Sequence, residues 1–285
     1  MSEDKASKTE RTARPVRVLS VSSGKGGVGK SNITLALALA LAEMGKKVLI
    51  WDADLGLANT DVLLGVRTKH TIHDWLKGEK TLKEIVFQGP LGVLILPAAS
   101  GILELTEISE TDKARLISEF EDWREDLDFM LIDTAAGVGP NVIFFNLISQ
   151  ERLVVVTNEP TSITDAYSLM KALSVQYDQN DFYIVPNMVP GPKDARAVFQ
   201  LLSDVAGLHL AKVSLDLAGW IPYDPAVPAA VRGQKPFYLS DPDCKASKGV
   251  AELARYLTFK TPPGFGGGGL VLFLNRLVSG RRALD

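Results

Sequence analysis

Cysteine is almost absent: Cys244 is the single one in 285 residues. That excludes an internal disulfide framework and any Cys-x-x-Cys metal site within the chain, and leaves Cys244 as a lone thiol. Long apolar runs are missing too. The longest, residues 35–42, is rich in Ala and Leu and far short of the roughly 20 residues a membrane span needs. Residues 1–15 mix Lys, Glu, Asp, Arg, Ser and Thr around no apolar core. They exclude a secretory signal and read as a disordered tail. One-sided charge is also lacking. The 31 Lys+Arg against 34 Asp+Glu leave a net −3, which argues against a surface built wholly for nucleic acid, though not against a small basic patch. Histidine is scarce, and none of His70, His73 and His209 stands in a motif that would make it a base. What remains is 46% hydrophobic and 23% charged, the balance of a globular protein with a real core, expected in the cytoplasm.

Short β-branched runs alternate with helical patterns. Residues 16–23, 47–52, 93–97, 128–133, 152–157 and 182–186 read as buried strands, several of them apolar over four or more positions. Residues 31–44, 112–125, 164–177, 194–206 and 245–257 read as helices, with Gly45 and Gly207 as stops for the first and fourth. Such alternation predicts an α/β fold: a doubly wound, mostly parallel sheet with helices on both faces. After residue 257 the composition changes. Residues 261–269 hold Pro262-Pro263 and Gly266-Gly267-Gly268-Gly269, a hinge, and 270–285 form a separate short element. The expected organisation is therefore a tail over 1–15, one domain over 16–260, the hinge, and a terminal helix.

The strand over 16–23 runs straight into Gly24-Lys25-Gly26-Gly27-Val28-Gly29-Lys30-Ser31, and a helix beginning Ser31-Asn32 follows. This is the setting a phosphate loop needs. Glycines permit φ > 0 and let backbone N–H groups ring the phosphates, while the helix points its positive end at them. Lys30 is placed to reach the β- and γ-phosphates of ATP, and the Ser31 hydroxyl to ligate Mg2+. Asp52-Ala53-Asp54 closes one strand, and Asp133 closes Phe129-Met130-Leu131-Ile132. Four apolar residues and then an aspartate read as a strand whose carboxylate holds Mg2+. Asn187 follows another strand, and its amide could meet the polar edge of adenine, with Ile221-Pro222-Tyr223-Asp224-Pro225 opposite. Asparagine is also an ordinary turn residue.

Lys25, directly after the first glycine, is the unusual member. Lys25-Gly26-Gly27-Val28-Gly29-Lys30-Ser31 resembles the deviant Walker A loop of the MinD/ParA ATPases, and the resemblance extends over about residues 16–257. It implies an ATP-bound homodimer in which Lys25 crosses to the partner's nucleotide. It also implies that Asp54 orients the attacking water, that Asp52 joins the Mg2+ shell, and that Asn187, Pro222 and Asp224 line the adenine pocket. Catalysis would rest on Lys25, Lys30 and Asp54, by positioning and charge neutralisation. Residues 52–59, 96–101 and above all 158–167, with Asn158-Glu159-Pro160-Thr161, look closest to the FlhG branch, which regulates flagellar number and placement. The partners this implies are flagellar regulators or basal-body proteins, such as an FlhF-like GTPase or a flagellar transcription activator. Many members of that branch open with an Asp-Gln-Ala helix that activates the GTPase. Residues 1–15 hold no such motif, which puts that activating role in doubt and leaves the dimer switch intact. A MinD-type division-site regulator and a ParA-type DNA-partition ATPase share the loop and stand as alternatives; the near-neutral charge speaks against DNA.

On a helical wheel Leu270, Val271, Phe273, Leu274, Leu277 and Val278 share one face, with Asn275, Arg276, Ser279 and Arg282 opposite; Leu272 falls among the polar residues and Arg281 intrudes on the apolar side. Behind a glycine hinge this reads as an amphipathic helix for an anionic membrane surface. Packing on the chain's own body is the other reading. The expected place of work is the cytoplasm, peripheral on the inner face of the membrane in the ATP state.

Overall fold

The computed structural model describes residues 16–54, 60–66, 68–98, 111, 115, 118–120 and 127–260. The predicted tail, hinge and membrane helix, with Leu270, Val271, Phe273, Leu274, Leu277 and Val278, lie outside the described residues. So does most of the predicted helix 112–125, whose described residues 115 and 118–120 are helical.

Among the described residues nine strands form one sheet: β1 (Arg17–Ser23), β2 (Val48–Ala53), β3 (Phe87–Gln88), β4 (Leu94–Leu96), β5 (Phe129–Ala136), β6 (Glu151–Thr157), β7 (Asp181–Val189), β8 (Ser214–Leu217) and β9 (Ile221–Pro222). Their order is β3-β4-β2-β5-β1-β6-β7-β8, with β9 added along β7. Only β3, at the edge, runs antiparallel to its neighbour. Besides the helical residues among 111–120, the helices among the described residues are α1 (Lys30–Glu43), α2 (Thr60–Leu64), α3 (Ile72–Leu76), α4 (Leu82–Ile85), α5 (Pro140–Ile148), α6 (Pro160–Tyr177), α7 (Pro192–His209), α8 (Ala226–Arg232), α9 (Phe237–Ser240) and α10 (Lys245–Phe259).

The central strands are apolar on both faces because both faces are covered. Leu19 and Val21 of β1 pack with Ile50, Leu131 and Val185 against α1 and α10. Their neighbours Val18, Leu49, Trp51, Met130 and Ile132 pack on the other side with α3, α4 and α5. This period-two division is what a parallel sheet between two helical layers demands. Helix α1 is apolar nearly all round, and residues 33–41 are all buried, since α10 closes over the side the sheet leaves open. On the second face Phe145 meets Trp51 edge-on at 5.5 Å.

Three differences from expectation have physical causes. Helix α7 passes through Gly207 to His209, because Ala195, Val198, Leu202 and Ala206 form one buried stripe that Leu210 then continues. Helix α6 starts at Pro160, four residues early; proline at the first helical position loses no hydrogen bond. Helix α5 was not anticipated: Val142-Ile143-Phe144-Phe145 is an apolar run that fits a buried strand equally well.

Candidate functional site

The carboxyl ends of β1, β2, β5 and β7 meet at one edge of the sheet, where open α/β sheets bind ligands. Strand β1 delivers the glycine loop there. Gly27 and Gly29 have φ of +80° and +85°, a region that side chains resist. Gly24 is required for space instead. A Cβ on it would lie 2.1 Å from the backbone carbonyl carbon of Asp165 in α6. The loop therefore lies directly on that helix. Gly29 opens α1 with no side chain capping it, which leaves the helix's first N–H groups facing the loop.

Beneath the loop lies a buried charge cluster. Lys30 Nζ meets Asp133 Oδ1 at 2.6 Å, with side chains 7% and 1% exposed. Thr34 Oγ1 donates to the same oxygen at 3.2 Å. Asp133 Oδ2 is buried without a hydrogen-bond partner. Asp52 pairs opposite Asp133 in the β2–β5 register, so a second carboxylate enters the same space. Its oxygens accept from the N–H groups of Asp54 at 3.2 Å and Thr60 at 3.1 Å. Burial, and then the Asp133 charge, push the Asp52 pKa from 3.8 up to about 6. The cluster thus holds two carboxylates against one lysine.

A measurable consequence follows. Folding raises the Asp52 pKa, so the folded chain retains a proton that the unfolded chain releases. Stability from this group is intact below about pH 4 and falls as pH rises to about 6. Asp52→Asn removes the fall but keeps only one acceptor for two N–H groups. We expect it to stabilise the nucleotide-free chain by about 1–2 kcal/mol at pH 7.5, and by much less at pH 4.5. Urea unfolding in EDTA at both pH values checks this. An equal gain at the two would show that buried charge is not the cause.

Lys25 stands apart from the cluster. Its Nζ meets Glu159 Oε2 at 2.5 Å and Thr161 Oγ1 at 3.0 Å, at the start of α6, with Lys25 38% and Glu159 59% exposed. Ser23 Oγ donates to the Lys25 carbonyl at 3.0 Å and helps shape the loop. Asn187, at the end of β7, donates from Nδ2 to the Val28 carbonyl at 2.7 Å. Asp224 accepts from the N–H groups of Ala226 and Lys245, both at 2.9 Å, and so ties together the first residues of two helices. Pro222 is buried in β9. Asn32 and Ser31 are half-buried in the first turn of α1.

The structure brings Lys25, Lys30, Ser31, Asp52, Asp133 and Asn187 around one loop. Sequence reasoning named Glu159 and Thr161 only within the 158–167 segment, without a place at the loop, and missed Thr34. Glu159 precedes a proline that starts a helix, a signal of position but not of partner. The donor set suits Mg2+. The unpartnered, buried Asp133 oxygen is the kind of ligand this ion takes, and Asp52 and Ser31 stand near it. No group of three or more His, Cys, Asp or Glu among the described residues is placed to hold a metal. Mg2+ here would complete its shell with phosphate and water oxygens.

A strand, a glycine loop opening a helix, and a lysine paired with a strand-end aspartate define a P-loop nucleotide-binding protein. The chain belongs to the ParA/MinD family of P-loop NTPases. The ParA family model, described as NUBPL iron-transfer P-loop NTPase, matches residues 15–258. The chain is 43% identical to the antiactivator FleN of Pseudomonas aeruginosa over 93% of its own length and 94% of that protein's. It is 36% identical to the flagellum site-determining protein YlxH of Helicobacter pylori, over 87% and 84%. Among solved structures it is similar to septum site-determining protein MinD of Pyrococcus horikoshii complexed with Mg-ADP. The TM-score is 0.67 at 26% identity, over 86% of this chain and 96% of that one. The resemblance read from the loop and from residues 158–167 is thereby borne out.

Proposed function

We propose that the chain is an ATP-driven dimerisation switch that regulates the number or placement of flagella. The observation that carries this is the position of Lys25. It does not fold over its own loop but stands half-exposed at the loop's rim, paired with Glu159 and Thr161. From there it would meet the phosphates of a second copy, so its binding energy would be available only when ATP and that copy are both present.

Lys30 and the N–H groups at the start of α1 take the β- and γ-phosphates. Lys30 leaves Asp133 to do so, and the freed carboxylate, with Ser31 and Asp52, is the set that would hold Mg2+. When bound, Mg2+ neutralises charge on the phosphates. Asp54 orients the attacking water, and hydrolysis to ADP and phosphate releases the dimer. Asn187, Pro222 and Asp224 border the base. The similarity to FleN and to YlxH, a flagellum site-determining protein, supports the flagellar assignment. Flagellar regulators, among them an FlhF-like GTPase or a transcription activator, are the partner class we assign. Residues 270–285 carry the dimer to an anionic membrane surface, where two weak helices act together. No helix among the described residues is long and apolar enough to cross a membrane. An iron-cluster role would need cysteine ligands facing a partner, and Cys244 is buried at the start of α10.

Gel filtration with ATP, ADP and no nucleotide tests the switch. We expect a dimer with ATP alone, a longer-lived dimer for Asp54→Ala, and at least about a tenfold weaker ATP dimer for Lys25→Ala. One assembly state under all three conditions would refute it.

A further inference from the structure

The opposite edge of the sheet, where β6, β7 and β8 begin, carries a cavity of about 180 Å3. The length of β6, about 20 Å, separates it from the nucleotide edge. An engineered cavity of about 150 Å3 takes benzene, so this one has room for roughly six to ten heavy atoms. Unlike that apolar cavity, its wall is polar.

Two buried side chains on the wall carry polar atoms without a partner. Gln150 and Tyr183 are each 6% exposed. Gln150 Oε1 accepts from the Val18 N–H at 3.2 Å, but its Nε2 makes no hydrogen bond. The Tyr183 hydroxyl makes none either. Burial, and then the Glu151 charge, push the Tyr183 pKa up, so the hydroxyl keeps its proton. The two Glu151 oxygens accept from Arg17 Nε and Nη2 at 2.8 and 2.6 Å. A buried donor left unmade costs free energy. Two of them on one cavity, with more space than the one or two waters they need, mark a place for a ligand that brings an acceptor.

The charges set its kind. Glu151 is matched by Arg17, and Asp216 by Lys260 Nζ, which also reaches the Tyr256 hydroxyl at 3.1 Å. Arg152, 4% exposed, is a cation on the inner wall, held by the Asn146 and Ser149 carbonyls at 3.0 and 3.1 Å. Asp181 and Ser214 stand exposed at the rim. Donors and a fixed cation thus lie within, and a carboxylate lies at the mouth. We propose that this cavity binds a small zwitterion, an α-amino acid, with its carboxylate toward Gln150, Tyr183 and Arg152 and its ammonium toward Asp181. The site shares no residue with the nucleotide site, and the proposal stands without the nucleotide reading.

Calorimetry on the full chain measures glycine, L-serine and L-threonine, with L-lactate and ethanolamine as controls that each carry one charged end. We expect at least one of the three amino acids to bind, and both controls to bind at least about tenfold more weakly. Gln150→Glu keeps the acceptor for the Val18 N–H and replaces only the free nitrogen; it weakens amino-acid binding at least about tenfold. Tyr183→Phe removes only the unpartnered hydroxyl, so we expect an undiminished melting temperature and about 3- to 10-fold weaker binding. If Gln150→Glu does not fold, Tyr183→Phe carries the test alone. Binding of none of the three amino acids overturns the proposal. So does a control that binds as tightly as they do, or a folded variant that binds them as wild type does.

Discussion

Lys30→Met destabilises the nucleotide-free chain by about 3–5 kcal/mol, and adding Asp133→Asn recovers most of that loss. The reason is the asymmetry of buried ion pairs. Lys30 is the cation 2.6 Å from Asp133, and both lie out of water. The pair as a whole adds little net stability, since desolvation offsets attraction. Removing the lysine alone leaves the Asp133 charge stranded opposite Asp52, in the same register pair of β2 and β5. Two uncompensated carboxylates then share one apolar pocket. The folded chain relieves this by taking up a proton, so the loss is smaller at pH 5 than at pH 8. In Lys30→Met/Asp133→Asn the amide still accepts from Thr34 Oγ1, and only Asp52 remains as a carboxylate, held by the N–H groups of Asp54 and Thr60. Urea unfolding in EDTA at the two pH values gives the cycle. ATP binding separates the roles: both variants lose it, because no cation remains to meet the phosphates. A double variant as unstable as the single one would show that Lys30 stabilises by packing rather than by charge.

That cluster marks where sequence reading ran out. Lys30 and Asp133 were each legible, one as the end of a glycine loop and the other as the polar stop of an apolar strand. Their contact spans 103 residues and is set by the β1–β5 register, which no local pattern encodes. The strands β2, β5 and β6 were readable because burial on both faces leaves unbroken apolar runs. The same property hid α5, where an unbroken run is a helix packed on β1 and β5 beside α6. The edge strands β3 and β9 have two residues each, too short for any period to register. The bulge at Met188, between Asn187 and Val189 of β7, was invisible for a different reason: it arises from pairing with β9, and methionine is the last residue type its φ of +57° would suggest. Lys25 was recognised by its neighbours in the motif. Its rim position beside Glu159 depends on where α6 begins, and that was read four residues late.

Two alanines placed two residues apart in the loop give opposite outcomes. Gly24→Ala puts a methyl group 2.1 Å from the Asp165 carbonyl carbon, 2.2 Å from its oxygen and 2.5 Å from Ala166 N. All three are backbone atoms of α6, and no rotamer change can clear them. The helix cannot retreat, since Ile163, Ala166, Leu169, Met170 and Leu173 fix it to the sheet. The loop must lift instead, carrying Lys25 away from Glu159 and Thr161 and tilting the N–H groups that follow. Overpacking of this kind costs about 1–3 kcal/mol or more. A displacement of roughly 1 Å in a phosphate-binding loop is enough for about a hundredfold loss in function. Gly26→Ala meets no atom within 4 Å and needs no positive φ. It leaves the unfolding free energy within about 0.5 kcal/mol of wild type. Thermal melts of the two variants, with ATP titrations on Gly24→Ala, make the comparison. Equal melting temperatures would mean that the loop does not lie on α6, and the path by which α6 positions Lys25 would be lost with it.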